Sequence, residues 1–246
     1  MGGLSETVAV VLAGGKGTRL RSVFSDRPKV LVDVRGRSLA TYLLDQLAAA
    51  GVAEVVFCTG HLAAQVEAIL GNRYGEVRLT YSFESSPLGT GGAVRAALPL
   101  LGSENVLVMN GDSFCEADLP AMQTRHEARG GVATILLAMA PDTRRYGRVQ
   151  VDEEGRLLAF EEKGSRAGPG WINAGVYFIR RRMLETIPPN IPISLEREVF
   201  PAWIGQGLYG HTAGGRFLDI GTPESYAEAN EFFARLQPVQ RKDGQP

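Results

Sequence analysis

The stretch VVLAGGKGTRLRSVFSDRPKVLV, residues 10–32, decides how this chain is read. It continues an apolar run, Val8–Leu12, that shows no polar alternation. An unbroken apolar run suits a strand buried on both faces, the kind found in parallel sheets covered by helices. Gly14-Gly15-Lys16-Gly17 then ends the strand with too little side chain to build a core. Such a loop exposes backbone N–H groups with nothing in front of them, and polyphosphate is the anion that suits it. Thr18, Arg19 and the Pro28-Lys29 pair follow. A guanidinium grips phosphate through two bonds, whereas an ammonium acts as a mobile point charge. The loop is not a P-loop, because no Gly-Lys-Ser/Thr follows the first glycine at the right distance. Nor is it a dinucleotide fingerprint, because Leu20 stands where the third glycine belongs.

Outward from this stretch, apolar strands alternate with helix-like segments. Leu39–Ala50 reads as a helix with Leu43, Leu44 and Leu47 on one side. Glu54–Thr59 reads as a strand, Ala63–Leu70 as a helix, Leu79–Phe83 as a strand and Gly91–Leu98 as a helix. Val106–Asn110 is a strand running into Gly111-Asp112. This rhythm predicts an α/β fold with a Rossmann-like, mostly parallel mixed sheet and helices on both faces. Ligands in such folds sit at the carboxyl ends of the strands, where the glycine loop falls. The second half changes character. Ala133–Met139, Arg148–Val151, Leu157–Glu162 and Trp171–Ile179 read as strands joined by short polar turns, an antiparallel or mixed extension. Arg181–Ile187 and Pro223–Leu236 read as helices, the latter with Thr222-Pro223 as N-cap and first turn.

The 246 residues carry a net charge of -1, so the surface as a whole offers no electrostatic footprint for nucleic acid or membrane. The run Val8–Ala13 is too short for a signal peptide or a membrane span, and the reading is a cytoplasmic protein. Cys58 and Cys115 match no metal or redox spacing and read as buried free thiols. His61, His126 and His211 are scattered and read as structural or exposed rather than catalytic.

Six motifs, taken in order, carry a resemblance. Leu12-Ala13-Gly14-Gly15-x-Gly17-Thr18-Arg19-Leu20 with Pro28-Lys29 comes first. Pro87-Leu88-Gly89-Thr90-Gly91-Gly92-Ala93, Asn110-Gly111-Asp112, Glu161-Glu162-Lys163, Asn173-Ala174-Gly175 and Asp219-Ile220-Gly221-Thr222-Pro223 follow. The set resembles the sugar-1-phosphate nucleotidyltransferases, also called nucleotide-sugar pyrophosphorylases, over nearly the whole chain. The resemblance implies one nucleotidyltransferase domain over 1–236. Its nucleotide-binding half would span about 8–130, its sugar-phosphate-binding half about 131–236, and 237–246 would be a polar tail. In that family a sugar 1-phosphate attacks the α-phosphate of a nucleoside triphosphate and releases pyrophosphate. The nucleophile is already an anion, so the work is aligning two polyanions and neutralising charge. Cations, backbone amides and a metal ion are expected, and no Ser-His-Asp arrangement.

By the same resemblance, Leu12, Ala13, Gly14, Gly15, Gly17, Thr18, Arg19, Gly89 and Thr90 bind the nucleotide, and Arg19 stabilises the leaving pyrophosphate. Lys29 sits near the α-phosphate and the incoming sugar phosphate. Asp112 and Asp219 form a Mg²⁺ site, since magnesium favours one or two carboxylates with phosphate oxygens and water. Gly111, Glu162, Lys163, Asn173 and Gly175 face the sugar phosphate. Val30 and Gly164 depart from the family, which often carries proline after each of the two lysines.

Glu84 stands where relatives meet the Watson–Crick edge of the base. An ionised glutamate only accepts hydrogen bonds. Guanine offers it two adjacent donors and uracil only one, so GTP is favoured over UTP. The Glu84 region, Asn110–Phe114 and Phe217–Gly221 most resemble the heptose 1-phosphate guanylyltransferases, which supply GDP-heptose for bacterial surface polysaccharide. Mannose 1-phosphate guanylyltransferases and small uridylyltransferases acting on N-acetylmuramate or glucose 1-phosphate stay open as alternatives. The absence of hexapeptide repeats argues against the bifunctional acetyltransferase relatives. A non-catalytic nucleotide-sugar regulator would lack Arg19, Lys29 or an aspartate, and all are present. A non-sugar cytidylyltransferase with a choline pocket is a further option, which Trp171 keeps open. Monomer and homodimer are both left open.

Overall fold

The computed structural model describes residues 3–15, 27–161, 164 and 167–236. Gly17, Thr18, Arg19, Glu162, Lys163 and the segment 237–246 therefore lie outside the described residues. In chain order the elements are β1 (Val8–Leu12), β2 (Asp33–Val34), β3 (Arg37–Ser38), α1 (Leu39–Ala49), β4 (Glu54–Thr59), α2 (Ala63–Leu70), β5 (Arg73–Tyr74), β6 (Val77–Phe83) and α3 (Gly89–Ala97). They continue with β7 (Asn105–Asn110), β8 (Ser113–Cys115), α4 (Leu119–Arg129), β9 (Ala133–Ala140), β10 (Val149–Val151), β11 (Leu157–Phe160) and β12 (Gly170–Arg180). The last are α5 (Arg181–Glu185), α6 (Phe200–Ala202), β13 (Leu208–Thr212), β14 (Phe217–Asp219) and α7 (Pro223–Ala234).

The central sheet has eight strands in the order β13-β9-β12-β7-β1-β4-β6-β5. β1 pairs in parallel with both β4 and β7, and β4 with β6. β12 runs antiparallel between β7 and β9, while β13 joins β9 in parallel. The sheet is thus α/β and mixed, with its parallel part built from the first half of the chain. The path β1, β4, β6 moves outward on one side of β1, and β7 then returns to the other side. That reversal opens a crevice at the carboxyl ends of β1 and β7, where Leu12 lies opposite Asn110.

Burial explains the apolar runs. On β1, Ala9 and Val11 point into one core and Val8 and Val10 into the other. The first core receives Leu39, Leu43, Leu44 and Leu47 of α1 and Phe233 of α7. The second receives Val94 and Ala97 of α3, Met183 and Leu184 of α5, and Phe200 of α6. Helix α1 stops at Ala50 because Gly51, at φ +87°, takes the left-handed turn. Gly51 N–H then bonds the Ala48 carbonyl and Val52 N–H the Leu47 carbonyl, closing the last turn. Thr222 caps α7 in a reciprocal pair with Ser225, and Pro223 occupies its first turn.

Several boundaries move. The strand expected from Leu79 begins at Val77, and the helix expected from Gly91 begins at Gly89. The strand expected to run through Glu162 ends at Phe160. β10 and β11 pair with each other in a two-stranded ribbon rather than extending the central sheet. Helix α4 and strand β13 are absent from the sequence reading. The cap of α4 was visible: Asp118 accepts the Ala121 N–H, and Pro120 lies in the first turn. No helix among the described residues is long and apolar enough to cross a membrane.

Candidate active site

The crevice at the end of β1 is a cavity of about 580 Å³. It is lined by Leu12, Ala13, Gly14, Gly15, Lys29, Glu84, Gly89, Thr90, Gly111 and Asp112, together with Val30, Pro87, Ala93 and Asn110. The loop leaving β1 is pinned from both sides. Ala13 N–H donates to the Cys58 carbonyl of β4, and Gly111 N–H donates to the Leu12 carbonyl. A Cβ on Gly111 would lie 2.6 Å from that Leu12 oxygen, so the close approach of the two strand ends requires glycine there.

Lys29 lies in a single 3₁₀ turn, Lys29–Leu31, whose Val30 and Leu31 are buried. Burying them leaves the lysine facing the cavity, and its Nζ donates to Asp112 Oδ2 at 3.0 Å. Asp112 follows β7 after Gly111, in the turn to β8. β8 pairs antiparallel with β14, so that Asp219 lies opposite Ser113. Ile220 N–H donates to the Asp112 carbonyl at 2.9 Å, which ties the two aspartate-bearing segments together. Asp219 meets a second cation, Arg145 Nη2, at 3.5 Å. Both aspartates thus stand at one end of the sheet, each beside a positive side chain. Their all-oxygen donor set suits magnesium, which takes one or two carboxylates and fills its shell with phosphate and water. No group of three or more His, Cys, Asp or Glu side chains placed to hold a metal occurs among the described residues.

Glu84, at the end of β6, is 9% exposed. Its Oε2 accepts the Leu88 N–H at 2.8 Å, and its Oε1 comes so close to Gly14 that a Cβ there would lie 2.7 Å away. Burial pushes the Glu84 carboxyl above its ordinary pKa, partly offset by the Leu88 N–H.

The glycines of the Pro87–Ala93 motif serve packing. Gly91 and Gly92 N–H both donate to the Ile193 carbonyl, and a Cβ on Gly89, at φ +70°, would stand 2.6 Å from that oxygen. Asn173 and Gly175 lie on β12, where its pairing with β9 is interrupted. The space beside Gly175 is taken by Asn110, whose Nδ2 would be 2.7 Å from a Cβ. Asn173 Oδ1 accepts the Gly175 N–H, and its Nδ2 donates to the Tyr177 hydroxyl at 3.0 Å.

Sequence reasoning missed the group that joins these pieces. Glu196 accepts from Tyr177 Oη at 3.0 Å, Thr90 Oγ1 at 2.6 Å and Ser194 Oγ at 2.9 Å. It lies on a π-helical turn, Leu195–Val199, and links cavity-lining Thr90 to Asn173 through the fully buried Tyr177. Burial and the neighbouring Glu196 drive the Tyr177 hydroxyl well above its ordinary pKa. No local motif advertises Glu196, although a π turn itself often marks a functional site.

The histidines stand apart from the cavity. His126 is fully buried between Thr134 and Asn105, and His61 is exposed. Cys58 and Cys115 are free and buried. Trp171 is half-buried against the second core.

The family model described as nucleotidyl transferase matches residues 8–235. The chain belongs to the nucleotidyl transferase family. This nucleotidyl transferase is 36% identical over 231 residues to the mannose-1-phosphate guanylyltransferase of Mycobacterium tuberculosis, across 92% of the chain and 64% of that protein. It thus spans just under two thirds of the mycobacterial relative's length. It is 34% identical over 224 residues to the D-glycero-α-D-manno-heptose 1-phosphate guanylyltransferase of Aneurinibacillus thermoaerophilus, across 91% of the chain and 96% of that protein. The crystal structure of HddC from Yersinia pseudotuberculosis complexed with GMP-PN superposes with a TM-score of 0.81 at 30% identity, covering 92% of this chain and 99% of that one.

Proposed function

We propose that this nucleotidyl transferase moves a guanylyl group from GTP to a manno-configured sugar 1-phosphate, with heptose 1-phosphate favoured, giving a GDP-sugar and pyrophosphate. The observation that carries the reading is the Lys29–Asp112 pair lining the same cavity as Gly14 and Gly15. In the reaction a sugar-phosphate oxygen forms a bond to the α-phosphorus, while the bond from that phosphorus to the pyrophosphate oxygen breaks. No proton need be removed from the nucleophile, so the residues present suffice by positioning and charge.

Lys29 can turn from Asp112 to the phosphates as they arrive, bringing a point charge to where the two substrates meet. The Gly14 and Gly15 backbone cradles the triphosphate, and Arg19 balances the leaving pyrophosphate. Asp112 and Asp219 would hold Mg²⁺, which when bound supplies positive charge to the phosphate oxygens. Glu84 reads the base through acceptor lone pairs, which suits the two neighbouring donors of guanine. Glu162, Lys163, Asn173 and Gly111 serve the sugar phosphate.

The manno configuration is supported by the names of two relatives, one acting on mannose 1-phosphate and one on a manno-heptose 1-phosphate. The test is a matrix of four nucleoside triphosphates against mannose, heptose, glucose and N-acetylmuramate 1-phosphates, reading pyrophosphate with and without Mg²⁺. Highest turnover with GTP and a manno sugar supports the reading; preference for UTP or a gluco sugar would overturn it.

A further inference from the structure

Thr90 lines the cavity from the first turn of α3, and its hydrogen bonds leave it one thing to offer. Its Oγ1 gives its single proton to Glu196 Oε2 at 2.6 Å and accepts the Leu195 N–H at 2.8 Å. A threonine hydroxyl has one proton and two lone pairs. One lone pair is therefore left, and a ligand that meets it must donate. Glu196 enforces this direction, because a carboxylate has no proton to give. Two further donors hold the carboxylate in place: Ser194 Oγ on the same Oε2 and Tyr177 Oη on Oε1.

The same bonds indicate which substrate Thr90 meets. Tyr177 Oη, its proton given to Glu196, accepts from Asn173 Nδ2 at 3.0 Å. Asn173 Oδ1 in turn accepts the Gly175 N–H at 2.8 Å. Thr90 is thus bonded, through Glu196 and Tyr177, to the β12 residues assigned to the sugar phosphate. Glu84, assigned to the base, takes the Leu88 N–H instead. We propose that Thr90 is a specificity-determining residue for the sugar, and that Glu196 is the positioning residue that fixes it as an acceptor. Thr90 then selects a sugar with a free hydroxyl at one position and rejects one whose group there cannot donate. The assignment rests on the proposed transfer to a sugar 1-phosphate and names one reader of that substrate.

Fluorine is close to a hydroxyl in size but cannot donate a proton. At one position of the sugar, replacing the hydroxyl with fluorine should lower kcat/KM of the parent by about tenfold relative to the other positions. Thr90→Val removes the acceptor and should bring that position level with the others. Thr90→Ser keeps a hydroxyl between Glu196 and the Leu195 N–H, so it should keep the penalty. Glu196→Ala releases the Thr90 proton, which can then turn to the sugar, so the penalty should shrink there too. Each ratio compares two substrates on one variant, so any loss of folded protein cancels. A merely structural Glu196 would leave the ratio unchanged.

The experiment gives the full chain GTP and the sugar 1-phosphate it turns over fastest, then the monofluoro analogues of that sugar, one for each hydroxyl. Pyrophosphate release is read for the parent, Thr90→Val, Thr90→Ser and Glu196→Ala. A penalty at one position that Thr90→Ser keeps and the other two variants lose supports the proposal. No such position in the parent, or a penalty that survives Thr90→Val, would overturn it while sugar turnover leaves the proposed function standing. Loss of the penalty in Thr90→Ser would assign it to the methyl group and overturn it as well. A penalty kept in Glu196→Ala would remove Glu196 from the role. If Thr90→Val altered discrimination only against a deoxyribose form of GTP, Thr90 would face the ribose and the proposal would fall. If the parent turned over no sugar 1-phosphate, the proposed function would fall first and this assignment with it.

Discussion

Lys29 Nζ lies 3.0 Å from Asp112 Oδ2, although 83 positions separate the two residues. The lysine side chain is 15% exposed and the aspartate 38%, so the pair lines the cavity within reach of solvent rather than lying in the core. Such a half-exposed pair contributes little to stability. In the proposed reaction its use would be to keep a charge ready where phosphates arrive. Lys29→Ala and Asp112→Asn are each expected to lower kcat/KM by about a hundredfold or more. Their double variant should lose much less than the product of the two, because both act on the same phosphates. Steady-state pyrophosphate release measures this, with thermal melting as a control that should shift little.

On the proposed contact with the base, Glu84 should link base choice to pH. Only its ionised form presents acceptors alone, and burial raises its pKa. As pH falls through that raised value the carboxyl gains a proton and repels one guanine donor, so the KM for GTP should rise. At higher pH the preference should be full. Glu84→Gln should flatten this dependence and shift the GTP:UTP ratio toward UTP. An unchanged ratio would remove Glu84 from base recognition.

His126 makes stability depend on pH. Burial and the nearby Arg180 hold its pKa down to about 4, against an ordinary value of 6.5. Between those values the unfolded chain binds a proton that the folded chain refuses, so stability falls as pH drops from 6.5 toward 4. The loss from this group is on the order of 3 kcal/mol over the window and none above it. Urea unfolding at pH 7 and pH 4.5 should show a smaller difference for His126→Gln than for the parent.

Glu196 is expected to matter for folding as well as for the site. Truncation to alanine strands the buried Tyr177 hydroxyl and the hydroxyls of Thr90 and Ser194. The cost should be about 1–3 kcal/mol, read as a lower urea midpoint. Tyr177→Phe strands no hydroxyl and leaves only the Asn173 Nδ2 donor without its acceptor, so it should cost less.

Much of this was legible from the chain. Val8–Leu12, Glu54–Thr59 and Ala63–Leu70 form the elements that their apolar patterns predict, with the same ends. Ten of the expected site residues line one cavity, because the loops that carry them leave the same end of the sheet. Glu196 was not legible. Its partners come from α3, β12 and its own turn, and no spacing rule joins such distant segments. The ribbon of β10 and β11 was readable as strands but not as a separate sheet, since a strand pattern does not say which partner it takes.

The sequence by itself determined the local grammar and the chemistry: strand and helix periods, the glycine loop with its cations, and the motifs that announce the family. These depend on neighbours along the chain. The tertiary structure alone decided which charge meets which. Lys29 faces Asp112, Arg145 faces Asp219, and Glu196 gathers three hydroxyls because sheet order and register bring distant segments within hydrogen-bond reach. Hydrogen bonds need contact within about 3.2 Å and exposed charges are screened beyond about 10 Å, so the partners are fixed only when the sheet is assembled.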